Sequence, residues 1–406
     1  MLVSHADNEA TIPVKDTLSL DFKRSGAKLE TTSLSTGVFK QSLTGNHYFA
    51  VGWVSHKITK KEQAMQILTD CIPLMGKHPV IPNVLRAGDL FLDIETTGLS
   101  RAKHQIYLIG CAHIVDGNNI YVNQFFAEKP DEEVALLAEF LKFLEAEQTK
   151  RIITFNGNGF DLPFLAARAE KWNVPLMFSG YELFDIYRAL TKRKRLFNLA
   201  NYRQKTVETF LGLAREDKYS GGELISVYEN YVKTPDDEAK RLLLLHNYED
   251  VLGMADLLSV FSYEKLLSAP PQPVCVDIEG YTDVDGAPAE ELIVTLLPPY
   301  PLPGKLSCRQ PLTGAYLHAS GENVQIRIPL YHRMARLYYL DYKNYFYLPA
   351  EDMAVHKSVA ACVDKAHREK AAPENCYTWV TVDEAFLSSG QLSEYIGHVL
   401  AQFLAL

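Results

Sequence analysis

Between residues 89 and 126, apolar and polar positions alternate in short runs that predict three successive strands. Asp89 to Glu95 is an apolar run (Leu90, Phe91, Leu92, Ile94) with acids at its end. Ile106 to Val115 is a second strand. The turn Asp116-Gly117-Asn118-Asn119 leads to a third, Ile120 to Phe126, with one wetter face. At Pro130 the period changes. Asp131, Glu132 and Glu133 suit the first turn of a helix, and the stripe Val134, Leu137, Leu141, Leu144 carries it to about Glu147. A fourth strand follows at Arg151 to Phe155, then the turn Asn156-Gly157-Asn158-Gly159 and a helix from Asp161 to Lys171. Leu183-Phe184 is a short strand, Asp185 an N-cap, and two further helices fall near 201–213 and 236–262. The order β-β-β-α-β-α predicts an α/β fold with a mixed sheet flanked by helices.

The flanks read differently. Residues 1–35 are polar and poorly patterned, which predicts a loose tail or an arm. Residues 37–54 predict a hairpin about Thr44-Gly45-Asn46, and Lys61 to Met75 has helical spacing (Ala64, Ile67, Leu68, Ile72). Ala269-Pro270-Pro271-Gln272-Pro273 reads as a linker. Beyond it lie strand-like runs at 292–296, 305–308, 315–318, 324–328, 336–340 and 345–348, a mainly antiparallel β region, with helical ends at Ser358 to Arg368 and Leu392 to Leu404. The expected division is 1–82 (arm, hairpin and helix), 83–265 (α/β domain) and 266–406 (β-rich domain with a helical end).

Composition narrows the class. A hydrophobic content of 47% and a charged content of 22% are those of a globular protein. The net charge of −9 argues against a wholesale nucleic-acid binder but leaves room for a local basic patch. The six cysteines form no Cys-x-x-Cys pair, so neither a zinc ribbon nor a disulfide framework is indicated. Without a leader-like segment at 1–20 or an apolar run near the roughly 20 residues of a membrane span, the expectation is a cytoplasmic protein that does not enter membranes.

Candidate chemistry sits at element ends. Asp93 and Glu95 are two apart on a strand and project to one face, where they repel and lose hydration unless a hard cation joins them. A merely solvated strand end is the bland alternative. Asp161 opens a helix beside a Gly-rich turn, where a plain capping role is also open. His246 and Asp250 are four apart and share a helix face, while Tyr248 points roughly the opposite way at about 100° per residue. Arg188, Lys192, Arg193, Lys194, Arg195, Arg203 and Lys205 follow one another with no acid among them, either a phosphate-binding run or a solvated helix end. Aromatic and basic residues mix over 331–347, as a stacking platform or as strand core.

The phrases Asp-Ile-Glu-Thr-Thr-Gly-Leu (93–99), Tyr-Leu-Ile-Gly (107–110), Thr-Phe-Asn-Gly-Asn-Gly-Phe-Asp (154–161), Gly212-Leu213-x-Arg215-x-Asp217 and His-Asn-x-x-Asp-Val (246–251) resemble the YprB-like family of ribonuclease H-like (DEDD) exonucleases over about 83–265. The resemblance implies a two-metal 3′–5′ exonuclease. Asp93, Glu95, Asp161 and Asp250 would hold two Mg²⁺ or Mn²⁺ ions, and His246 would accept or orient a proton of the attacking water. It implies a DNA or RNA 3′ end as partner, with Thr96, Gly98 and Leu99 lining the terminal nucleotide and Asn156 and Phe160 nearby, while the acid-free run itself offers Lys192, Arg193, Lys194 and Arg195 to phosphates. Better-known relatives carry a tyrosine four residues before the last acid or a histidine five before it; this chain has a histidine at the tyrosine spacing. A non-catalytic nucleic-acid-binding module and a structure-specific endonuclease are the alternatives.

Overall fold

The computed structural model describes residues 54–56, 65–114 and 117–405. The expected arm lies outside them, as does all of the expected hairpin but Val54. Seven strands form one mixed sheet: β1 (Val54–His56), β2 (Met65–Pro73), β3 (Asp89–Thr96), β4 (Ile106–Ile114), β5 (Asn119–Ala127), β6 (Arg151–Thr154) and β7 (Glu182–Asp185). Their spatial order is β1-β2-β5-β4-β3-β6-β7. β3, β6 and β7 run parallel and the remaining neighbours antiparallel.

The helices of this half are α1 (Ile81–Val84), α2 (Glu133–Ala146), α3 (Asp161–Lys171), α4 (Ile186–Thr191), α5 (Lys194–Phe197), α6 (Gln204–Phe210), α7 (Gly221–Lys233), α8 (Asp237–Leu257) and α9 (Phe261–Ser268). The α/β expectation holds, and the pleat explains how both sheet faces are filled. Leu90, Leu92 and Ile94 of β3 pack with Leu136 and Phe140 of α2 and Leu162 and Leu165 of α3. Phe91 points the other way, into a cluster with Val251 and Ala255 of α8. Asp93 and Glu95 continue the Phe91 row, so they face α8.

The helix expected over 61–75 is not there. Met65–Pro73 is a strand, antiparallel to β5 along its whole length. Met65 and Ile67 pack on the α2 side and Leu68 on the α7 side, a period of two. Four apolar positions in so short a run fit either period, and the β-branched Ile67, Thr69 and Ile72 tip it to a strand. The sheet therefore begins N-terminal of residue 83.

The C-terminal half contains β8 (Pro273–Thr282), β9 (Pro288–Leu296), β10 (Leu302–Arg309), β11 (Tyr316–Gly321) and β12 (Asn323–Leu330), an antiparallel sheet ordered β10-β11-β12-β9-β8. Smaller pieces follow: β13 (Met334–Tyr338), β14 (Tyr345–Leu348), β15 (Met353–His356), α10 (Lys357–Ala360), β16 (Glu369–Lys370), β17 (Tyr377–Thr381), α11 (Glu384–Leu387) and α12 (Gly390–Phe403). The helix expected over 358–368 reduces to the single turn of α10 and a 3-10 turn at Lys365–His367. Its apolar residues are small or turned to solvent: Val359 and Cys362 are exposed and Ala360 alone is buried, so no stripe is covered. The aromatic run is mostly packed against itself. Tyr338 is buried, Tyr339 stacks on Tyr345 at 4.5 Å, and the Arg336 guanidinium lies 4.4 Å from the ring centres of both Tyr331 and Tyr377.

Ala269–Gln272 joins the halves without holding them apart. One buried cluster runs from Phe91 and Val251 through Tyr263 to Leu306, Leu317, Ile326 and Ile396. The Tyr263 hydroxyl donates to Gly304 O at 2.6 Å and accepts from Gly304 N at 2.9 Å, pinning α9 to β10.

Candidate active site

β3 continues past the end of β6, whose last pairing with it is Phe91–Ile153, and this overhang carries Asp93 and Glu95. α3 starts beside it, and α8 crosses its face. Glu95, Asp161 and His246 are buried, while Asp93 and Asp250 are half-buried. The structure groups Glu95, His246 and Asp250: one ligand atom from each lies within 4.8 Å of the others. His246 Nε2 is 3.2 Å from Asp250 Oδ2 and 3.6 Å from Glu95 Oε1.

Asp93 and Asp161 flank this triad and are fixed by separate donors. Asn247 Nδ2 donates to Asp93 Oδ2 at 2.9 Å, and Gln124 Nε2 donates to Asn247 Oδ1 at 2.9 Å. Asp161 is the first residue of α3, but its carboxylate does not cap the helix. Oδ1 accepts the Ile94 N–H at 3.2 Å, which locks α3 to β3 between the two strand acids.

The electrostatics follow from crowding. Burial, then the charges of Asp250, Asp161 and Glu95, push the Asp93 carboxyl well above the usual range, against the Asn247 hydrogen bond. Burial, then Asp250, Asp161 and Asp217, do the same to Glu95, against Arg215. Burial, with Asp185 and Asp250 adding, pushes Asp161 up to about 7, opposed by its own N–H and then by the Ile94 N–H. Desolvated hard oxygens that repel one another fit a divalent cation such as Mg²⁺ or Mn²⁺.

Behind the acids lies a layer that spacing alone did not assign. Arg215 donates to Asp250 Oδ1 at 2.6 Å and to Glu208 Oε2 at 3.2 Å, and lies 3.4 Å from Glu249. Asp217 Oδ2 sits 2.7 Å from His246 Nδ1 and accepts from Lys205 Nζ at 2.8 Å. Burial alone would raise the Asp217 carboxyl, but the hydrogen bonds from Lys205, the Tyr219 N–H and His246 outweigh it and hold it below the usual range. The phrase Gly212-Leu213-x-Arg215-x-Asp217 was the signal; its partners, about 30 residues away on α8, were not visible in it.

Other expected residues are placed as follows. Tyr248 points away from the acids, and its hydroxyl donates to Asp70 Oδ2 on β2 at 2.7 Å. Thr96 is buried, its hydroxyl donating to Gly98 O at 2.9 Å. Gly98 has φ +153°, with the His104 ring 2.8 Å from where a Cβ would stand, and it presents Leu99 to solvent, 84% exposed. Asn156 is exposed with φ +65°, and its N–H is held by Asp185 Oδ1 at 2.9 Å; Phe160 is half-buried at the start of α3. Lys192, Lys194 and Arg195 are exposed. Arg193 is not free, since its guanidinium donates to Leu404 O at 2.6 Å.

This fold and acid cluster define a ribonuclease H-like domain, a fold related to hydrolytic nucleases, and the RNase_H superfamily model RNase_H_2 matches residues 90–262. The uncharacterised protein YprB of Bacillus subtilis is 31% identical over 189 residues, which are 45% of this chain and 44% of that one. An uncharacterised protein of Methanocaldococcus jannaschii is 29% identical over 39% of this chain and 87% of its own. A DNA polymerase of Pyrococcus glycovorans is 30% identical over 32% of this chain and 20% of its own. Over these residues the chain is similar to the YprB-like ribonuclease H-like proteins. It spans less than half the length of YprB. Among the described residues, no helix is long and apolar enough to cross a membrane.

Proposed function

We propose that this chain is a 3′–5′ exonuclease that removes nucleoside 5′-monophosphates from single-stranded ends of DNA or RNA. The observation that carries the reading is the convergence of Asp93, Glu95 and Asp161 with Asp250, the first three pushed upward by burial and then by neighbouring carboxylates, Asp250 among them. Two Mg²⁺ or Mn²⁺ ions bound there would supply the charge that an in-line displacement at phosphorus requires.

The chain's own residues set up that displacement. Asn247 and the Ile94 N–H orient Asp93 and Asp161, and Arg215 holds one Asp250 oxygen so that the other faces the centre. Thr96 fixes the Gly98-Leu99 turn, whose exposed leucine side chain offers an apolar face to the terminal base. Asn156 and Phe160 border the same strand end, and Lys192, Lys194 and Arg195 meet phosphates farther along. A polymerase among the relatives agrees with a nucleic-acid substrate. The six unpaired cysteines suit a reducing compartment, the cytoplasm.

The test is incubation of 5′-labelled single-stranded DNA, double-stranded DNA and RNA with Mg²⁺ or Mn²⁺. A ladder shortening from the 3′ end is expected. A discrete internal cut would instead indicate an endonuclease, and binding without cleavage under all conditions a non-catalytic module.

A further inference from the structure

The role of His246 can be argued from its two ring nitrogens separately. Nδ1 lies 2.7 Å from Asp217 Oδ2. Lys205 at 2.8 Å and the Tyr219 N–H at 2.9 Å both donate to Asp217, so that carboxylate is ionised and only accepts. Nδ1 therefore points its hydrogen at Asp217, and Nε2 is the ring atom turned to the acids, 3.2 Å from Asp250 Oδ2 and 3.6 Å from Glu95 Oε1. The second Asp250 oxygen is already taken by Arg215 at 2.6 Å. One ligand atom each from Glu95, His246 and Asp250 thus lies within 4.8 Å of the others, a grouping that a cation would complete.

A proton acceptor for water needs an open approach to its lone pair. His246 is only 5% exposed, and two acids wall its Nε2. A far nitrogen that donates to a carboxylate orients general-base and metal-bound imidazoles alike; the walled-in Nε2 is what favours the metal-bound case here.

We propose that His246 is a metal ligand, not the proton acceptor, and that Glu95, His246 and Asp250 form a mixed nitrogen–oxygen site favouring Mn²⁺ or another first-row transition ion over Mg²⁺. Asp217 is its positioning residue. Imidazole suits transition ions, whereas Mg²⁺ prefers oxygen ligands and retained water. The inference rests on the reading that the acids hold a divalent ion; it changes which ion and by which atoms.

The test is Mn²⁺ binding to the full chain, followed by isothermal titration and by electron spin-echo envelope modulation, which detects nitrogen bonded directly to manganese. Wild type should bind Mn²⁺ with a histidine-type nitrogen coupling and should prefer it to Mg²⁺ in competition. His246→Ala should keep carboxylate binding of Mn²⁺ but lose the coupling and most of the preference for Mn²⁺. Asp217→Asn should weaken Mn²⁺ binding by about 10–100-fold. Bound Mn²⁺ without nitrogen coupling in wild type, or coupling that persists in His246→Ala, would overturn the inference and leave the acid site intact. Failure of wild type to bind Mn²⁺ at all would overturn both. The wild-type spectrum decides the matter even if a variant fails to fold.

Discussion

Asp93 and Gly110 face each other across β3 and β4, and the absent side chain of Gly110 is what lets Asn247 reach Asp93. A Cβ at Gly110 would stand 2.0 Å from Asn247 Oδ1. Gly110→Ala is therefore expected to push α8 away from the strand acids, costing about 1–3 kcal/mol of stability, as overpacked cores do. Hydrolysis should fall further than stability explains. Denaturant melts and rate measurements on one preparation check this; a variant as stable and active as wild type would show that Asn247 has room to move.

His246 should matter far more than Tyr248. His246→Ala removes a group at the centre and should reduce turnover strongly by displacing the bound ion from its working position, even where the carboxylates still hold it. Tyr248→Phe removes the hydrogen bond to Asp70, on the side away from the acids. It should leave the rate nearly unchanged and cost about 1 kcal/mol of stability. Single-turnover rates for both variants rank them, and the reverse ranking would contradict the site geometry.

The raised carboxyl groups make a pH prediction. Asp161 titrates at 3.8 when unperturbed and at about 7 in the fold. Between these values the folded state holds more protons than the unfolded one, so raising pH costs stability. Asp93 and Glu95 act in the same direction. Metal-free protein is expected to be more stable near pH 4–5 than at pH 7–8 with respect to these groups, and Mn²⁺ should raise the melting temperature most at the higher pH. Thermal melts in chelator across this range test it; metal-free Asp161→Asn should lose part of the slope. A slope unchanged in that variant would remove Asp161 from the account.

The basic run divides into two kinds of residue. Lys192, Lys194 and Arg195 are free in solvent, whereas Arg193 ties α4–α5 to the end of α12 through Leu404 O. Neutralising the three exposed residues should weaken binding of single-stranded nucleic acid and flatten the dependence of log affinity on log salt by about 0.7 per lost phosphate contact. Arg193→Ala should chiefly destabilise the fold, by about 1–2 kcal/mol. An unchanged salt slope in the triple variant would make the run an ordinary solvated surface.

What could be read from the chain followed local periods. Asp93 and Glu95 share a face because strand residues alternate, and His246 and Asp250 do because helix residues four apart coincide. The mixed sheet was legible for the same reason, through long runs with clear turns. Relations between distant segments were not. Asn247 meets Asp93 from 154 residues away, Arg193 meets Leu404 across 211, and Asp217 reaches His246 across 29. β2 was misread because Ile67, Leu68 and Ile72 fit a helix as well as a strand until β5 lies beside them. α7 went unread although Ser220 and Glu223 form a capping box at its start and Leu224, Tyr228 and Tyr231 supply its buried stripe.

The central claim is that the buried acids hold divalent ions for hydrolysis from a 3′ end. It is tested most directly by following 5′-labelled single-stranded DNA and RNA with Mn²⁺, comparing wild type with Asp93→Ala and Asp161→Asn. The account predicts stepwise 3′ shortening by wild type, release of 5′-monophosphates, abolition by chelator, and no shortening by either variant although both fold. Wild-type rates in a folded Asp93→Ala or Asp161→Asn protein, or degradation that continues in chelator, would contradict it.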